Sequence, residues 1–199
     1  IIIDSEPKIF SNFLNKDFNK KNFKAKIDTH QIFDYRQILP INDSDYLIFF
    51  TQLSNIFNDF KKISFSENNL KRINSEIKNL KKVINKYSLK NKKIFFILWP
   101  LDVSDNFLGD INFKVNGKNW IINYINLNLS KELSSINNVH LIDPNFILLK
   151  SQKVINIFDF KLKYLIGCEY SHDYFEFISN LISKKIYEED KIKKIKLIT

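Results

Sequence analysis

Few side chains in this sequence stand where chemistry is usually done. Only two arginines, Arg36 and Arg72, occur against a strongly lysine-rich background, and Arg36 lies in a connection between apolar runs. An arginine there presents a planar fork suited to a carboxylate or a phosphate; a structural pair with Asp34 or Asp43 is the alternative. A second cluster, Pro100, Asp102, Ser104, Asp105 and Asn106, follows the apolar run 94–99. Its polar members are either ligands at a binding rim or turn formers. The three histidines, His30, His140 and His172, share no metal-ligand spacing with one another or with Cys168, so no metal is expected. With glycine only at 109, 117 and 167, there is no Walker loop and no dinucleotide fingerprint, because both need closely spaced glycines to bring backbone against phosphate. No cofactor is expected.

The elements that must position these residues follow from hydrophobic patterning. Residues 94–99 form an unbroken apolar run bounded by lysines and Pro100, as expected for a strand covered on both faces of a parallel sheet. Residues 45–51 repeat that pattern and should lie near the sheet centre. Shorter strands are predicted at 8–11, 24–29 and 139–142. Residues 30–39 read as an irregular or short helical connection ended by Pro40. Ser66 caps a predicted helix over 66–87, with Leu70, Ile73, Ile77, Leu80, Val83 and Ile84 on one face. A second crossover helix, 119–133, turns Ile122, Ile125, Leu129 and Leu133 inward. Asp143 caps a short segment at 145–149, residues 158–166 read as an edge strand or turn, and Ser171 caps a last helix over 171–187. This alternation gives an α/β fold, a three-layer sandwich around a mainly parallel five-stranded sheet. Binding residues then belong beyond the carboxyl ends of the strands.

Composition bounds the function more loosely. A chain of 199 residues, 44% hydrophobic, can build one substantial core. No apolar run approaches the roughly 20 residues of a membrane helix, so a cytoplasmic protein without a membrane partner is expected. The net charge of +9 comes with abundant Asn, Ile and Phe, the joint bias of AT-rich coding, and nucleic-acid binding is disfavoured. The chain begins at Ile1, contains no methionine, and ends at Thr199 after a strand-like run, the pattern of a piece of a longer protein. Residues 188–194 are a charge run of linker type.

A serine after the first strand and a histidine before the last helix resemble the SGNH (GDSL-type) hydrolase arrangement, a flavodoxin-like fold. That resemblance implies Ser11 as nucleophile, His172 as its base and Glu169 as the carboxylate that fixes the imidazole, in a serine esterase or acetyl-hydrolase. The sequence departs from the family at Phe10-Ser11-Asn12-Phe13, which lacks Gly-Asp-Ser, and at Thr51-Gln52-Leu53-Ser54, where oxyanion donors are expected.

A broader set of residues resembles the amino-terminal domain of FkbH-like proteins, the HAD-IIIC family, a degenerate SGNH-like module. Ser11-Asn12-Phe13 is similar to that family's first strand end, and Phe33-Asp34-Tyr35-Arg36-Gln37 to its Asp-x-Tyr-Arg-Gln segment. Trp99-Pro100 with Gly109, Asn126 with Leu129, and Val139 to Asp143 resemble later landmarks in the same order. The resemblance implies a recognition domain over residues 1–187, then a linker and the start of a HAD-type domain at 188–199. The implied partners are an acyl carrier protein or a small-molecule substrate, in acyl or glyceryl transfer or in surface-polysaccharide or secondary-metabolite synthesis. Substrate-binding candidates are Asn12, Arg36, Thr51, Trp99, Asp102 and Asn106.

Overall fold

A computed structural model describes residues 1–3, 6–31, 34–36, 44–57, 67–90, 93–102, 114–115, 117–151 and 155–196. It is α/β with a parallel sheet, and the chain divides into two compact units. One comprises Ile1–Asp4 and His30–Lys153, the other Ser5–Thr29 and Val154–Thr199.

The sheet belongs to the first unit. Its longer strands are β3 (Tyr46–Phe50), β4 (Lys93–Ile97) and β5 (Val139–Ile142); the two-residue β1 (Ile2–Ile3) and β2 (His30–Gln31) extend it in the order β2-β1-β3-β4-β5. All pairings are parallel, with Phe49 beside Phe96 and Ile97 beside Ile142. As the apolar runs require, β3 and β4 are buried on both parities from their second residue onward. One parity meets the crossover helices α3 (Glu67–Ser88) and α4 (Lys118–Leu133): Leu47, Phe49, Ile94 and Phe96 share a core with Ile73, Ile77, Leu80 and Ile84 of α3 and with Ile121, Ile122, Ile125, Leu129 and Leu133 of α4. Phe49 stacks on Phe96 with ring centres 5.9 Å apart. Lys81 of α3 reaches Glu132 of α4 at 2.9 Å, and the hydrogen bond from Lys81 lowers the Glu132 pKa.

The second unit packs α1 (Pro7–Lys20) against α7 (His172–Lys196), with α6 (Phe160–Ile166) between them in sequence. Phe10, Leu14 and Phe18 face Phe175, Ile178, Ile182 and Ile186, all buried. Asp17, also buried, accepts a hydrogen bond of 3.0 Å from the Ser179 hydroxyl and lies 3.6 Å from Lys20. The Ser171 hydroxyl accepts from the amide of Tyr174, capping α7 as its sequence position predicts.

Several local expectations are corrected. Residues 8–11 are helical, not a strand, because Pro7 opens α1 at its first turn and Phe10, Leu14 and Phe18 recur at helical spacing. The strand expected at 24–29 is replaced by the pair His30–Gln31, where His30 donates its amide to the carbonyl of Ile1 at 2.8 Å. Residues 160–166 form α6, capped by Asp159, which accepts from the amides of Lys161 and Leu162, and closed by Gly167 at φ 72°. That left-handed conformation suits glycine. The charge run 188–194 continues α7. Ser66, the expected cap of α3, lies outside the described residues.

Phe96 is fully buried and stacked, so Phe96→Ala should lower unfolding stability by about 3–5 kcal/mol. A urea midpoint shift at constant slope checks this; a change under about 1 kcal/mol would contradict the packing described.

Candidate functional site

Buried polar residues of the first unit gather after the carboxyl ends of β3 and β4, at Thr51, Gln52 and Asp102. Leu98 still donates its amide to the carbonyl of Ile142 at 2.9 Å, but as the chain leaves the sheet beyond it, the backbone groups buried at residues 99–102 need other hydrogen bonds. Three asparagine side chains supply them. Asn126 accepts from the amide of Trp99 at 3.2 Å and donates to its carbonyl at 2.8 Å. Asn119 treats Asp102 in the same way, at 2.9 and 2.8 Å. Asn145 accepts from the amide of Leu101 at 2.7 Å and donates to the Trp99 carbonyl at 3.2 Å. A primary amide carries the donor and acceptor of a peptide group, so each asparagine stands in for a neighbouring strand. Asp143, at the end of β5, holds Asn145 in turn through its amide, and so caps α5 (Pro144–Ser151).

This scaffold fixes the predicted rim residues. Trp99 is buried, 1% exposed, and its indole N–H donates to the carbonyl of Thr51 at 2.9 Å. Thr51 is buried as well. Asp102 is 6% exposed and forms a close ion pair with Lys118, whose side chain is 43% exposed. Solvent therefore meets Lys118 with a carboxylate directly behind it. Asn106 and Asp105 lie outside the described residues, as do Asp43 and Gly109.

Arg36 is exposed and forms a structural pair with Glu76 on α3, its Nη2 lying 2.8 Å from the carboxylate. Asp34 instead accepts from the Arg36 backbone amide at 3.0 Å. The guanidinium stands over the Tyr35 ring, 5.4 Å from its centre, and the buried Tyr35 hydroxyl donates to the second oxygen of Glu76 in a short hydrogen bond. Burial first, then Glu76, pushes the Tyr35 pKa well above its ordinary value.

In the second unit, Ser11 lies inside α1, where its hydroxyl donates to the carbonyl of Lys8 at 3.1 Å. His172 is the exposed first residue of α7, its ring centre 6.5 Å from that of Phe13. Glu169 pairs with Lys163 at 3.0 Å. Among the described residues no hydrogen bond joins Ser11 to His172, or His172 to Glu169. Asn12 is exposed on α1. The sequence reading missed Lys118, Asn119, Asn145 and Glu76. Asn119 was legible: it continues the inward series 119, 122, 126, 129, 133, and a polar residue in such a series needs a buried partner.

No family model matches the chain, and no curated protein does. A solved structure does: the crystal structure of the N-terminal part of the protein BF1531 from Bacteroides fragilis, described as containing a phosphatase domain and complexed with Mg. The likeness has a TM-score of 0.66 at 15% identity and covers 90% of this chain and 48% of that one. At that identity it shows a shared fold, with this chain spanning about half of that structure's length.

Two outcomes check the site. Asn126→Ala strips the buried Trp99 amide and carbonyl of their partner and should lower stability by about 1–3 kcal/mol, with a red shift in tryptophan emission; unchanged stability and emission would contradict the brace. The Tyr35 phenol, its folded pKa raised, contributes stability that is intact below the ordinary value of 10.0 and is lost as pH climbs from there toward the folded pKa. Tyr35→Phe should therefore flatten the alkaline fall of the melting temperature and remove one late-titrating tyrosine from the tyrosinate absorbance curve.

Proposed function

We propose that this chain is the SGNH-like, three-layer recognition domain of a FkbH-like protein of the HAD-IIIC type. It would present a small substrate or an acyl carrier protein to a phosphatase-type HAD domain, in acyl or glyceryl transfer serving surface-polysaccharide or secondary-metabolite synthesis. The observation that carries the reading is the fit of 90% of the chain to about half of a structure described as containing a phosphatase domain. The ordered sequence resemblances support it, and one of their members, Asn126, is a brace of the β4 exit.

On this reading the end of β4 recognises rather than reacts. Lys118 offers a cation for a carboxylate or phosphate, and Asp102 behind it holds the ammonium in place while Asn119 fixes the backbone on which Asp102 stands. A hydrolytic role for Ser11 is disfavoured, because a helical serine bonded to the carbonyl three residues back is neither exposed at a strand end nor joined to a base.

Calorimetric titration of the chain with a phosphopantetheinylated acyl carrier protein should give saturable binding, weakened about tenfold by Lys118→Ala, or about 1.4 kcal/mol. Absence of binding to the wild-type chain, for carrier protein and for glyceryl phosphate alike, would sink the proposal. A serine-directed fluorophosphonate should leave the chain unlabelled; stoichiometric labelling lost in Ser11→Ala would restore the esterase reading.

A further inference from the structure

The outer face of α3 is sorted by charge. Its inward side carries Ile73, Ile77, Leu80, Val83, Ile84 and Tyr87, all buried. Its outward side carries Lys71, Lys78, Lys82 and Lys86, all exposed. At 3.6 residues per turn these four fall within an arc of about 80° and a length of about 22 Å. The acid within this span, Glu76, is turned away and engaged by Tyr35 and Arg36. Lys81, on the side facing α4, pairs with Glu132, whereas the four lysines of the arc make no ion pair with a described residue. Coding bias alone would scatter acids among them, as on α7, where exposed Asp173, Glu176 and Glu188 stand on either side of exposed Lys184 and Lys185. At the end of the lysine row stands Leu89, 82% exposed.

We infer that the outer face of α3 is a docking surface for an acidic helical surface of a partner protein. A straight lysine row on a convex helix matches an acidic row of similar length, and unlike charges facing along both would steer association. The helix cannot serve by inserting in a membrane, because its apolar side is already committed to the core. Nucleic acid fits less well: the arc holds no arginine for bidentate phosphate contacts and no aromatic ring for base stacking. Leu89 adds the apolar anchor expected of a protein interface. The carrier protein enters as this partner only on the function proposed above.

The test uses the full 199-residue chain and its Lys78→Glu/Lys82→Glu/Lys86→Glu variant, whose fold is checked by circular dichroism. The probe is an alanine-based helical peptide bearing a stripe of glutamates, followed by fluorescence anisotropy. The wild-type chain should bind it in a salt-sensitive manner, and the variant at least tenfold more weakly. A peptide with lysines in place of the glutamates should bind the variant better than the wild-type chain. A control with the same charge change elsewhere, Lys161→Glu/Lys184→Glu/Lys185→Glu, should bind the acidic peptide within about threefold of wild type. Equal loss in variant and control, or tighter binding of a single-stranded RNA of equal charge than of the peptide, would overturn the inference. Carrier protein bound equally by wild type and variant would remove it while sparing the recognition role. Peptide binding that obeys the charge reversals, with no carrier binding by the wild-type chain, would support this face and reject the carrier.

Discussion

Everything in the sheet-bearing unit depends on how β4 ends. A central parallel strand is buried along its length, and the chain that continues from it must leave without stranding its amides and carbonyls away from water. Asn119, Asn126 and Asn145 resolve this at residues 99–102, each amide replacing part of a missing strand. Net stabilisation from such bonds is modest, about 1 kcal/mol each, but leaving a buried partner unsatisfied is the larger penalty. The backbone of residues 99, 101 and 102 is tied to α4 and α5 for that reason. The rim's exposed cation, Lys118, stands one residue before Asn119 on α4, so a group bound there would be held by a helix already tied to the strand end.

The same logic explains why buried polar residues recur at junctions. Asn119 and Asn126 lie on the inward face of α4, and Asp17 and Ser179 lie inside the pairing of α1 with α7. Each has a specific polar partner, and each fixes register in a way that apolar side chains, which tolerate sliding, do not. Tyr35 and Glu76 make a third such junction, linking the connection before β3 to the middle of α3.

Much of the first unit was legible in the sequence. The unbroken runs in β3 and β4, the helical spacing of α3 and α4, and β5 with Asp143 are all strong local signals, as is the Ser171 cap in the second unit, and each was placed within a residue or two where described. The amino-terminal region was not. Lys8-Ile9-Phe10-Ser11 is an apolar pair between two polar residues, too few positions to separate strand from helix, and Pro7 before it suits the first turn of a helix. The first strand is only Ile2–Ile3, too short for any period to register. Residues 8–11 read as a strand put Ser11 at a strand end. For the site, charge and amide residues were visible but their partners were not: Glu76 is 40 residues from Arg36, and Lys118 is 16 from Asp102. Pairings of that range are set by the crossover geometry, which the local pattern does not contain.

The second unit is assembled from the two ends of its sequence. Asp17 meets Ser179, and Lys21 donates to Ser183 at 2.7 Å, each pair 162 residues apart. At ribosomal rates of about 5–20 residues per second, α1 would wait roughly 8–30 s for its partner helix to be made. During that interval Phe10, Leu14 and Phe18 have no α7 to cover them. The order of the chain thus leaves an apolar helix face uncovered during synthesis that the finished fold buries.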